Sequence, residues 1–330
     1  MENVKNILVV GGAGYIGSHT VLALKDAGFG VVVYDNFSTG HRDACFGDVT
    51  IEGDLSDANL LRRVLKDYDI DCVVHFAALI EAGISVKDPL PFFRTNVAST
   101  ISLLEAMIDT GVSRLVFSST AAVYGDQDNQ GLLCETLPVR PTNPYGKSKA
   151  IVENILETMS DSYGIRVLAL RYFNAAGADP DCRTGERHDP ETHLIPLTIE
   201  AARNMRPSIK RFGTDYPTRD GTCIRDYIHV VDLASGHLAA VSKLINDEVT
   251  GFCPVNLGTG EGKSVSEVIE MVKTVSGQDF TVVDEPRREG DPAYLVAAAS
   301  KAEEVLQWRP KRSDLKTIIE DAWRFANKRL

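Results

Sequence analysis

The stretch of sequence that decides the fold is Gly11-Gly12-Ala13-Gly14-Tyr15-Ile16-Gly17. It follows an apolar run at residues 7–10 and precedes a helical pattern at residues 20–27, so the glycines connect a predicted strand to a predicted helix. Glycines in this context let the backbone approach a pyrophosphate closely, and the start of the helix offers free N–H donors. The stretch therefore predicts a dinucleotide site, with a turn of the same composition and no ligand as the alternative interpretation.

Short β-branched runs alternate with longer amphipathic stretches through the first half of the chain. The predicted strands lie at residues 7–10, 31–34, 49–52, 72–76, 114–118 and 165–171. The predicted helices lie at residues 20–27, 60–66, 96–109 and 145–160. This alternation predicts an α/β fold with a doubly wound parallel sheet, the Rossmann arrangement.

The pattern changes after Asn174, where a loop rich in Gly, Pro and charge is followed by shorter elements interrupted by prolines. We predict a dinucleotide-binding domain at residues 1–174 and a smaller C-terminal α/β domain at residues 175–330. A segment at about 224–245 is expected to return to the first domain, with the apolar run at 227–231 as a further strand of its sheet.

Composition excludes several classes of partner. A formal net charge of −11 leaves no basic field for nucleic acid or anionic lipid, and the first apolar run is too short for a signal peptide or a membrane span. The six cysteines contain no Cys-x-x-Cys pair, which is typical of reduced thiols. The seven histidines form no H-x-H or H-E-x-x-H pattern. We therefore expect a cytoplasmic protein with no metal.

Two carboxylates follow predicted strands at the same edge of the sheet. Asp35 ends the second strand, where it can accept both ribose hydroxyls of an adenosine and would repel a 2′-phosphate, so NAD is favoured over NADP. A simple turn residue is the alternative. Asp54 ends the third strand and can face the adenine, although an aspartate in this position is more often a helix cap.

Tyr145 and Lys149 lie four residues apart on one predicted helix, so their side chains share a face. A cation near a phenol lowers the phenol pKa toward neutrality, which would make Tyr145 a proton acceptor. Thr120, in Ser118-Ser119-Thr120 at a strand end, can share a hydrogen bond with it. Alone, the spacing of Tyr and Lys is weak evidence for a catalytic pair. The alternative role of Thr120 is to satisfy backbone hydrogen-bonding groups at the end of the strand.

These residues resemble the extended short-chain dehydrogenase/reductase superfamily and, within it, the UDP-galactose 4-epimerases, over essentially the whole chain. The blocks that carry the resemblance are residues 11–20, 74–78, 117–126, 144–149, 171–177, 221–233, 256–260 and 287–291. The resemblance implies that NAD lies on the sheet and that the second domain binds a UDP-sugar.

The resemblance also implies roles for individual residues. The implied catalytic residues are Tyr145, Lys149 and Thr120. The implied cofactor-binding residues are Gly11, Gly14, Tyr15, Ile16, Gly17, Asp35, Asn36, Asp54, Leu55, Phe76, Ala77, Ala78, Asn96, Ser118, Tyr145, Lys149 and Tyr172. The implied substrate-binding residues are Thr120, Tyr145, Asn174, His193, Leu194, Phe212, Arg225, Arg288 and Asp291.

The implied reaction interconverts UDP-galactose and UDP-glucose. Tyr145 takes the O4 proton while C4 gives hydride to tightly bound NAD, the 4-keto sugar turns over, and hydride returns to its opposite face. Arg225 and Arg288 would bind the diphosphate, Phe212 would stack on the uracil and Asp291 would contact the ribose. Either arginine can instead be a surface ion-pair partner. A homodimer formed by helices near 96–109 and 145–160 is implied as well.

Four positions depart from, or vary within, the family pattern. Thr120 stands where Ser is common, Ile80 where some members carry Lys, and His193 where many carry Asn. Leu295 aligns with a position that closes the sugar pocket with Tyr in some members and a smaller residue in others. A less obstructed pocket would accept N-acetylated hexoses.

The sequence leaves three alternative functions to compare. A 4,6-dehydratase is disfavoured because Ala121 and Ala122 occupy the places of its acidic pair. A 4-epimerase of UDP-glucuronate, a UDP-pentose or a UDP-N-acetylhexosamine is the nearer rival. A non-catalytic NAD-binding sensor is the alternative from another class, and such modules commonly lack the Tyr and Lys pair that this chain has.

Overall fold

The computed structural model describes residues 4–127, 131–288 and 291–328. Its strands are β1 (Asn6–Val10), β2 (Gly30–Asp35), β3 (Val49–Glu52), β4 (Ile70–His75), β5 (Arg114–Thr120), β6 (Arg166–Tyr172), β7 (Asn174–Ala176), β8 (Ile209–Phe212), β9 (Ile224–His229), β10 (Phe252–Leu257), β11 (Gly262–Ser264), β12 (Val282–Glu285) and β13 (Tyr294–Leu295).

The α-helices are α1 (Tyr15–Asp26), α2 (Ala58–Asp67), α3 (Ala82–Lys87), α4 (Leu90–Phe92), α5 (Ser99–Thr110), α6 (Pro144–Tyr163), α7 (Leu194–Ala202), α8 (Val230–Ile245), α9 (Val265–Ser276), α10 (Ser300–Leu306) and α11 (Leu315–Lys328). Short 3-10 turns lie at Arg42–Ala44 and Ala121–Val123, and a π-helical segment at Phe93–Ala98 leads into α5.

Seven strands form one parallel sheet in the order β10-β6-β5-β4-β1-β2-β3. Its central strands are near-continuous apolar runs because both faces are covered. Residues of α1 and α8 pack on one face, and residues of α2, α5 and α6 pack on the other. The predicted Rossmann fold class is confirmed, and the carboxyl ends of the strands meet at one edge where a ligand can bind.

The return of the chain to this sheet differs from the prediction. The segment predicted as an added strand is mostly β9, which pairs with β7, β11 and β13 in a separate small sheet. The prediction of that strand at 227–231 is therefore wrong. Instead, α8 packs against α1, and β10 pairs with β6 at the edge of the large sheet. Apolar composition alone does not specify which edge a strand joins.

The rest of the second part builds a smaller layer beside the carboxyl edge. Strands β8 and β12 pair in parallel, and α7, α9 and α11 pack around a separate apolar cluster that includes Ile195, Val268 and Ile318. The division at residue 174 stays a prediction, since α8 and β10 belong to the packing of the large sheet.

Two helix starts place residues of the site. Gly14, in an extended conformation, immediately precedes α1, so the helix begins inside the glycine stretch and five residues earlier than its apolar pattern predicts. At α6 the Asn143 side chain accepts the Gly146 N–H at 2.8 Å, and Pro144 occupies the first turn. The cap positions Tyr145 at the carboxyl edge of the sheet.

Within the described residues, the helices are all too short or too polar to cross a membrane. All six cysteines lie in this part of the chain and are free.

Candidate active site

A single cavity of about 1170 Å³ runs along the carboxyl edge of the large sheet and continues under the second part of the chain. The side formed by the glycine stretch 11–17, the strand ends 76–78 and 118–120, and Tyr145 is here called the sheet wall. The side formed by residues 186–194, 206–212, 225, 288 and 291 is called the loop wall. One cavity therefore borders both predicted binding regions.

The predicted site residues converge on this cavity to a large extent. The residues that line it are Gly11, Gly14, Tyr15, Ile16, Gly17, Asp35, Asn36, Asp54, Leu55, Phe76, Ala77, Ala78, Ser118, Thr120, Tyr145, Tyr172, Asn174, His193, Leu194, Phe212, Arg225, Arg288 and Asp291. Asn96 and Lys149 are not among the lining residues; both are buried behind the sheet wall.

The glycine stretch forms a tight cradle at the start of α1. A Cβ on Gly17 would lie 2.2 Å from the Gly11 carbonyl oxygen, and a Cβ on Gly11 would lie 2.6 Å from the Ala77 nitrogen, so neither position tolerates a side chain. The backbone N–H groups at the start of α1 have no side-chain cap. A concave turn with free N–H groups fits a dinucleotide pyrophosphate.

Asp35 is held rigidly at the end of β2. Its two carboxylate oxygens accept the backbone N–H groups of Ala13 at 2.9 Å and Phe37 at 2.8 Å. Each oxygen keeps a second acceptor position for a ribose hydroxyl. Asp54 is held similarly, because it accepts from the Asn36 amide at 2.9 Å. The structure thus gives Asp35 a scaffold function as well as a position on the cavity.

Asn96 supports the cavity from behind. Its side-chain oxygen accepts the Leu79 N–H at 2.8 Å, and its amide donates to the Leu79 carbonyl at 3.0 Å and to the Ser148 hydroxyl at 2.9 Å. These bonds link the loop after β4 to α6. Asn96 therefore fixes the backbone that lines the cavity, and its direct contact with the cofactor stays a prediction.

Tyr145 and Thr120 form a hydroxyl pair on the sheet wall. The Thr120 hydroxyl lies close enough to Tyr145 to lower its pKa by hydrogen bonding, although the effect of burial is larger. Thr120 Oγ1 also accepts the Ala122 N–H at 3.2 Å. The backbone N–H of Tyr145 donates to Ser85 Oγ at 3.1 Å, which ties the start of α6 to α3. Two exchangeable protons are thus placed side by side at the cavity surface.

The charge on Lys149 does not act on Tyr145 in the predicted way. Lys149 Nζ donates to the Ser118 carbonyl at 2.7 Å and lies 4.8 Å from the centre of the Phe117 ring. Burial lowers the Lys149 pKa to about 7, whereas burial raises the Tyr145 pKa above its usual value. Desolvation outweighs the predicted activation, so the expectation of a lowered Tyr145 pKa is wrong.

Tyr172 continues the line of hydroxyl groups below Tyr145. Its hydroxyl hydrogen-bonds the Ser118 hydroxyl, and burial raises its pKa. The ring edges toward the His237 ring at 5.7 Å. Ser118 and Tyr172 therefore extend a polar path from Tyr145 into an otherwise apolar part of the sheet wall.

The loop wall carries charged groups that neutralise one another. Arg225 is buried, donates to the Ile224 carbonyl at 2.8 Å and forms an ion pair with Asp291. The Arg288 guanidinium lies 4.0 Å from the centre of the Phe212 ring. The Arg288 guanidinium therefore covers the face of Phe212 that is predicted to stack on uracil.

His193 precedes α7 and forms an ion pair with Glu186. Burial opposes protonation, yet the Glu186 carboxylate raises the His193 pKa. Leu194 begins α7 beside it, and Asn174 begins β7 across the cavity. His193 thus faces the cavity beside a carboxylate that favours its protonated form. The family asparagine would be neutral here.

Sequence reasoning missed several residues of the cavity. Arg206, which precedes β8, and Lys210, which lies within it, add positive charge to the loop wall, and the basic pattern around Phe212 was the available signal. Glu186 and His188 also line the cavity. The close spacing of Glu and His residues within residues 186–193 was the available signal. Leu295 is half-buried against a separate apolar cluster and does not line the cavity.

A buried ion pair stands behind the sheet wall and was not predicted. Arg171 Nε donates to the Glu153 carboxylate at 2.9 Å, and Arg171 also donates to the Tyr124 hydroxyl at 3.1 Å. Glu153 lies one turn after Lys149 on α6, and both are buried. Its carboxylate opposes the desolvation of the Lys149 ammonium.

The match to a family model identifies the class of protein. Residues 7–258 match the NAD dependent epimerase/dehydratase family, and the chain belongs to this family. The predictions of an epimerase-type enzyme and of NAD as its cofactor are confirmed.

Particular relatives narrow the comparison. The chain is 48% identical to UDP-glucose 4-epimerase of Rhizobium meliloti over 329 residues, covering 100% of this chain and 99% of the relative. It is 50% identical over 322 residues to the UDP-glucose 4-epimerase of Rhizobium leguminosarum bv. trifolii, covering 97% and 96% of the two chains. The crystal structure of UDP-glucose 4-epimerase from Brucella ovis in complex with NAD superimposes with a TM-score of 0.94 at 45% identity, covering 97% and 98%.

Proposed function

We propose that the protein interconverts UDP-galactose and UDP-glucose by inverting C4 of the hexose with tightly bound NAD. The observation that carries the proposal is the hydroxyl pair of Tyr145 and Thr120, which lies on the cavity between the glycine cradle and the arginines of the loop wall. Close similarity to proteins named UDP-glucose 4-epimerase supports the choice of substrate.

Tyr145 is proposed to hold and move the O4 proton. Tyr145 would accept the O4 proton in its phenolate form and return it from the phenol form, while the neighbouring Thr120 hydroxyl hydrogen-bonds the sugar O4. Lys149, fixed on the Ser118 carbonyl, keeps a positive charge near the base of the pair when it is protonated. Thr120 would perform the same task as a serine because only its hydroxyl is used.

The cofactor site is proposed to hold NAD through the cradle and Asp35. The chemistry that NAD supplies when bound is reversible hydride exchange with C4 of the hexose, which implies a 4-keto sugar between two transfers. Gly11, Gly14 and Gly17 would let the pyrophosphate approach the start of α1, and Asp35 would accept the ribose hydroxyls. Apolar groups such as Phe76 would exclude water beside them.

The loop wall is proposed to bind the UDP diphosphate. Arg225 and Arg288 each present a planar guanidinium suited to phosphate oxygens, and displacement of Arg288 from Phe212 would free the ring for uracil. Asp291 would then exchange its Arg225 partner for a ribose hydroxyl. Binding of the substrate through its nucleotide would leave the hexose free to present either face at Tyr145.

We also propose a cytoplasmic homodimer. Ile101 on α5 and Ile151 on α6 are 41% and 40% exposed, which gives the two helices apolar surface for a second copy. Six free cysteines agree with a reducing compartment. Sedimentation of the purified protein tests the dimer, and a monomer at micromolar concentration would contradict it.

The decisive experiment is incubation of the purified protein with UDP-galactose without added NAD, followed by sugar analysis and release of bound cofactor. We expect UDP-glucose at equilibrium with UDP-galactose and about one NAD per chain. UDP-glucuronate, a UDP-pentose and UDP-N-acetylgalactosamine run in parallel as the competing substrates. Faster conversion of one of these would replace the substrate, and NAD-loaded protein that converts none of them would support the sensor alternative.

A further inference from the structure

Four metal-ligating side chains converge at one end of the loop wall. Glu186, His188, Glu191 and His193 each place one ligand atom within 4.8 Å of the others. The His188 Nδ1 atom lies 3.2 Å from Glu186 Oε1 and 3.9 Å from Glu191 Oε1, and His193 Nδ1 contacts the same Glu186 oxygen. Ligand atoms about 2.0–2.1 Å from a tetrahedral ion are roughly 3.4 Å apart. The two His188 separations lie on either side of this value, whereas the directly bonded pair of His193 and Glu186 would have to move apart to admit an ion.

The surroundings hold this cluster in place. The Glu186 and Glu191 side chains are only 6% and 9% exposed, and Glu191 Oε1 accepts the His193 N–H at 2.8 Å. His188 packs edge-on against Tyr15 of the glycine stretch. The ligand atoms therefore approach one another in a partly desolvated position, where the two carboxylates would balance the charge of a divalent cation.

We propose that Glu186, His188, Glu191 and His193 form a binding site for a divalent transition-metal ion of the zinc type. Two imidazole nitrogens and two carboxylate oxygens are a donor set that suits Zn²⁺. When Nδ1 of His193 binds the ion, its Nε2 carries the ring proton and stays available as a donor. The site is distinct from the hydroxyl pair and from the glycine cradle.

The location suggests what the ion does. The Arg187 carbonyl, between two of the ligands, accepts from His41 Nε2 at 2.9 Å, and the Arg187 guanidinium binds both Asp43 oxygens at 2.8 Å. Residues 186–193 thus already pack on the segment that follows β2. A bound ion would fix this segment and the start of α7 against the glycine stretch, so the ion would stabilise this end of the cavity.

The test uses the NAD-containing protein as purified, freed of metal by chelator and then titrated with Zn²⁺ in a calorimeter. We expect one Zn²⁺ per chain and a rise in Tm on binding, with Co²⁺ giving the visible spectrum of a tetrahedral complex. Anomalous diffraction at the zinc edge should place the ion between the four side chains. An ion at a cysteine or elsewhere would overturn the proposal.

Variants separate the site from adventitious binding. Glu186→Gln and, independently, Glu191→Gln should each weaken Zn²⁺ binding at least tenfold, whereas Glu304→Gln, an exposed glutamate on α10, should leave it unchanged. Circular dichroism in the presence of chelator shows whether each variant is folded. One folded variant is enough for the test. Equal Zn²⁺ affinity in wild type and both site variants, or no binding in wild type, would mean that the cluster is only a charge network.

Discussion

The two walls of the cavity are held in place by different forces. On the sheet wall, the functional groups project from backbone that is fixed by seven paired strands and by apolar packing on both faces. On the loop wall, the charged groups hold one another, as in the pair of Arg225 with Asp291 and the stacking of Arg288 on Phe212. The groups of the sheet wall are therefore fixed by the fold, whereas the charged groups of the loop wall are fixed by one another. If the loop wall binds the nucleotide as proposed, these internal partners are exchanged for the ligand.

Because the two walls are held in place differently, we expect each of them to perform a different part of the proposed reaction. Proton transfer needs atoms placed to within a fraction of an ångström, which rigid elements provide. Nucleotide binding tolerates rearrangement because displaced ion pairs are replaced by charge-assisted bonds to phosphate. Substitutions on the sheet wall should therefore change kcat or stability, and substitutions on the loop wall should change KM.

The largest effect is expected for Tyr145→Phe. Removal of the hydroxyl leaves the O4 proton without its acceptor, so kcat should fall by about 10³-fold while NAD content stays at the wild-type ratio. Initial rates with UDP-galactose and cofactor release after denaturation measure both quantities.

Tyr163→Phe is the matched control because Tyr163 ends the same helix and is exposed. It should retain wild-type kcat. A Tyr145→Phe enzyme with undiminished kcat would remove the sheet wall from the chemistry.

The next largest effect is expected for Gly17→Ala. Its Cβ would lie 2.2 Å from the Gly11 carbonyl oxygen, so the cradle must distort. We expect a loss of about 3 kcal/mol in the free energy of unfolding and a lower NAD content. Urea unfolding and cofactor release measure these changes.

Gly83→Ala controls for the loss of a glycine, since a Cβ at Gly83 meets no atom within 4 Å and its position is helical. It should be neutral or slightly stabilising. Equal stability of both variants with the wild type would show that the cradle is not rigid.

An intermediate effect on the free energy of unfolding is expected when the pH is lowered. Burial lowers the pKa of His19 and His237 to about 4 and that of His75 to about 3, against 6.5 for the unfolded side chain. The unfolded chain therefore binds more protons between pH 6.5 and about 4. Stability from this source is complete above pH 6.5 and is lost as the pH falls through that window.

His237→Leu isolates one of these histidines. It should reduce the stability lost between pH 7 and pH 5 by about 2 kcal/mol relative to the wild type. Urea unfolding at the two pH values measures the difference. An unchanged pH dependence would mean that His237 is protonated in the folded protein or is no longer buried at low pH.

The smallest effect is expected for Arg288→Met on the loop wall. Loss of one charge-assisted contact to the diphosphate should raise KM about tenfold with little change in kcat. The folded chain should keep its stability because methionine can still pack on Phe212. Arg309→Met, at an exposed arginine near α10, is the control and should leave KM unchanged. A fall in kcat without a change in KM would erase the distinction between the walls.

The same distinction explains how much the sequence predicts. All six predicted parallel strands of the large sheet are present, because β-branched runs with glycine turns between helical patterns have few alternatives. The position of the glycine stretch, Asp35, Thr120 and Tyr145 at the cavity is also predictable, since each ends a strand or begins a helix at the carboxyl edge. Their roles stay predictions.

The remaining features depend on long-range contacts that periodicity does not encode. The strand predicted at 227–231 joined another sheet, and β10 occupies the expected place at the sheet edge. The Lys149 charge was expected at the phenol and is instead fixed by the Ser118 carbonyl. The cluster around Glu186 required the folded path of residues 186–193 to bring its side chains together.

The edge position of β10 has a consequence for synthesis of the protein. Strand β6 is complete at Tyr172, but its outer neighbour ends only at Leu257, 85 residues later in the chain. Until the ribosome has released that stretch, β6 exposes an unpaired row of N–H and C=O groups, and the face covered by α8 is bare. A nascent chain that stalls in between would be a substrate for chaperones, and an isolated N-terminal fragment would tend to aggregate rather than fold.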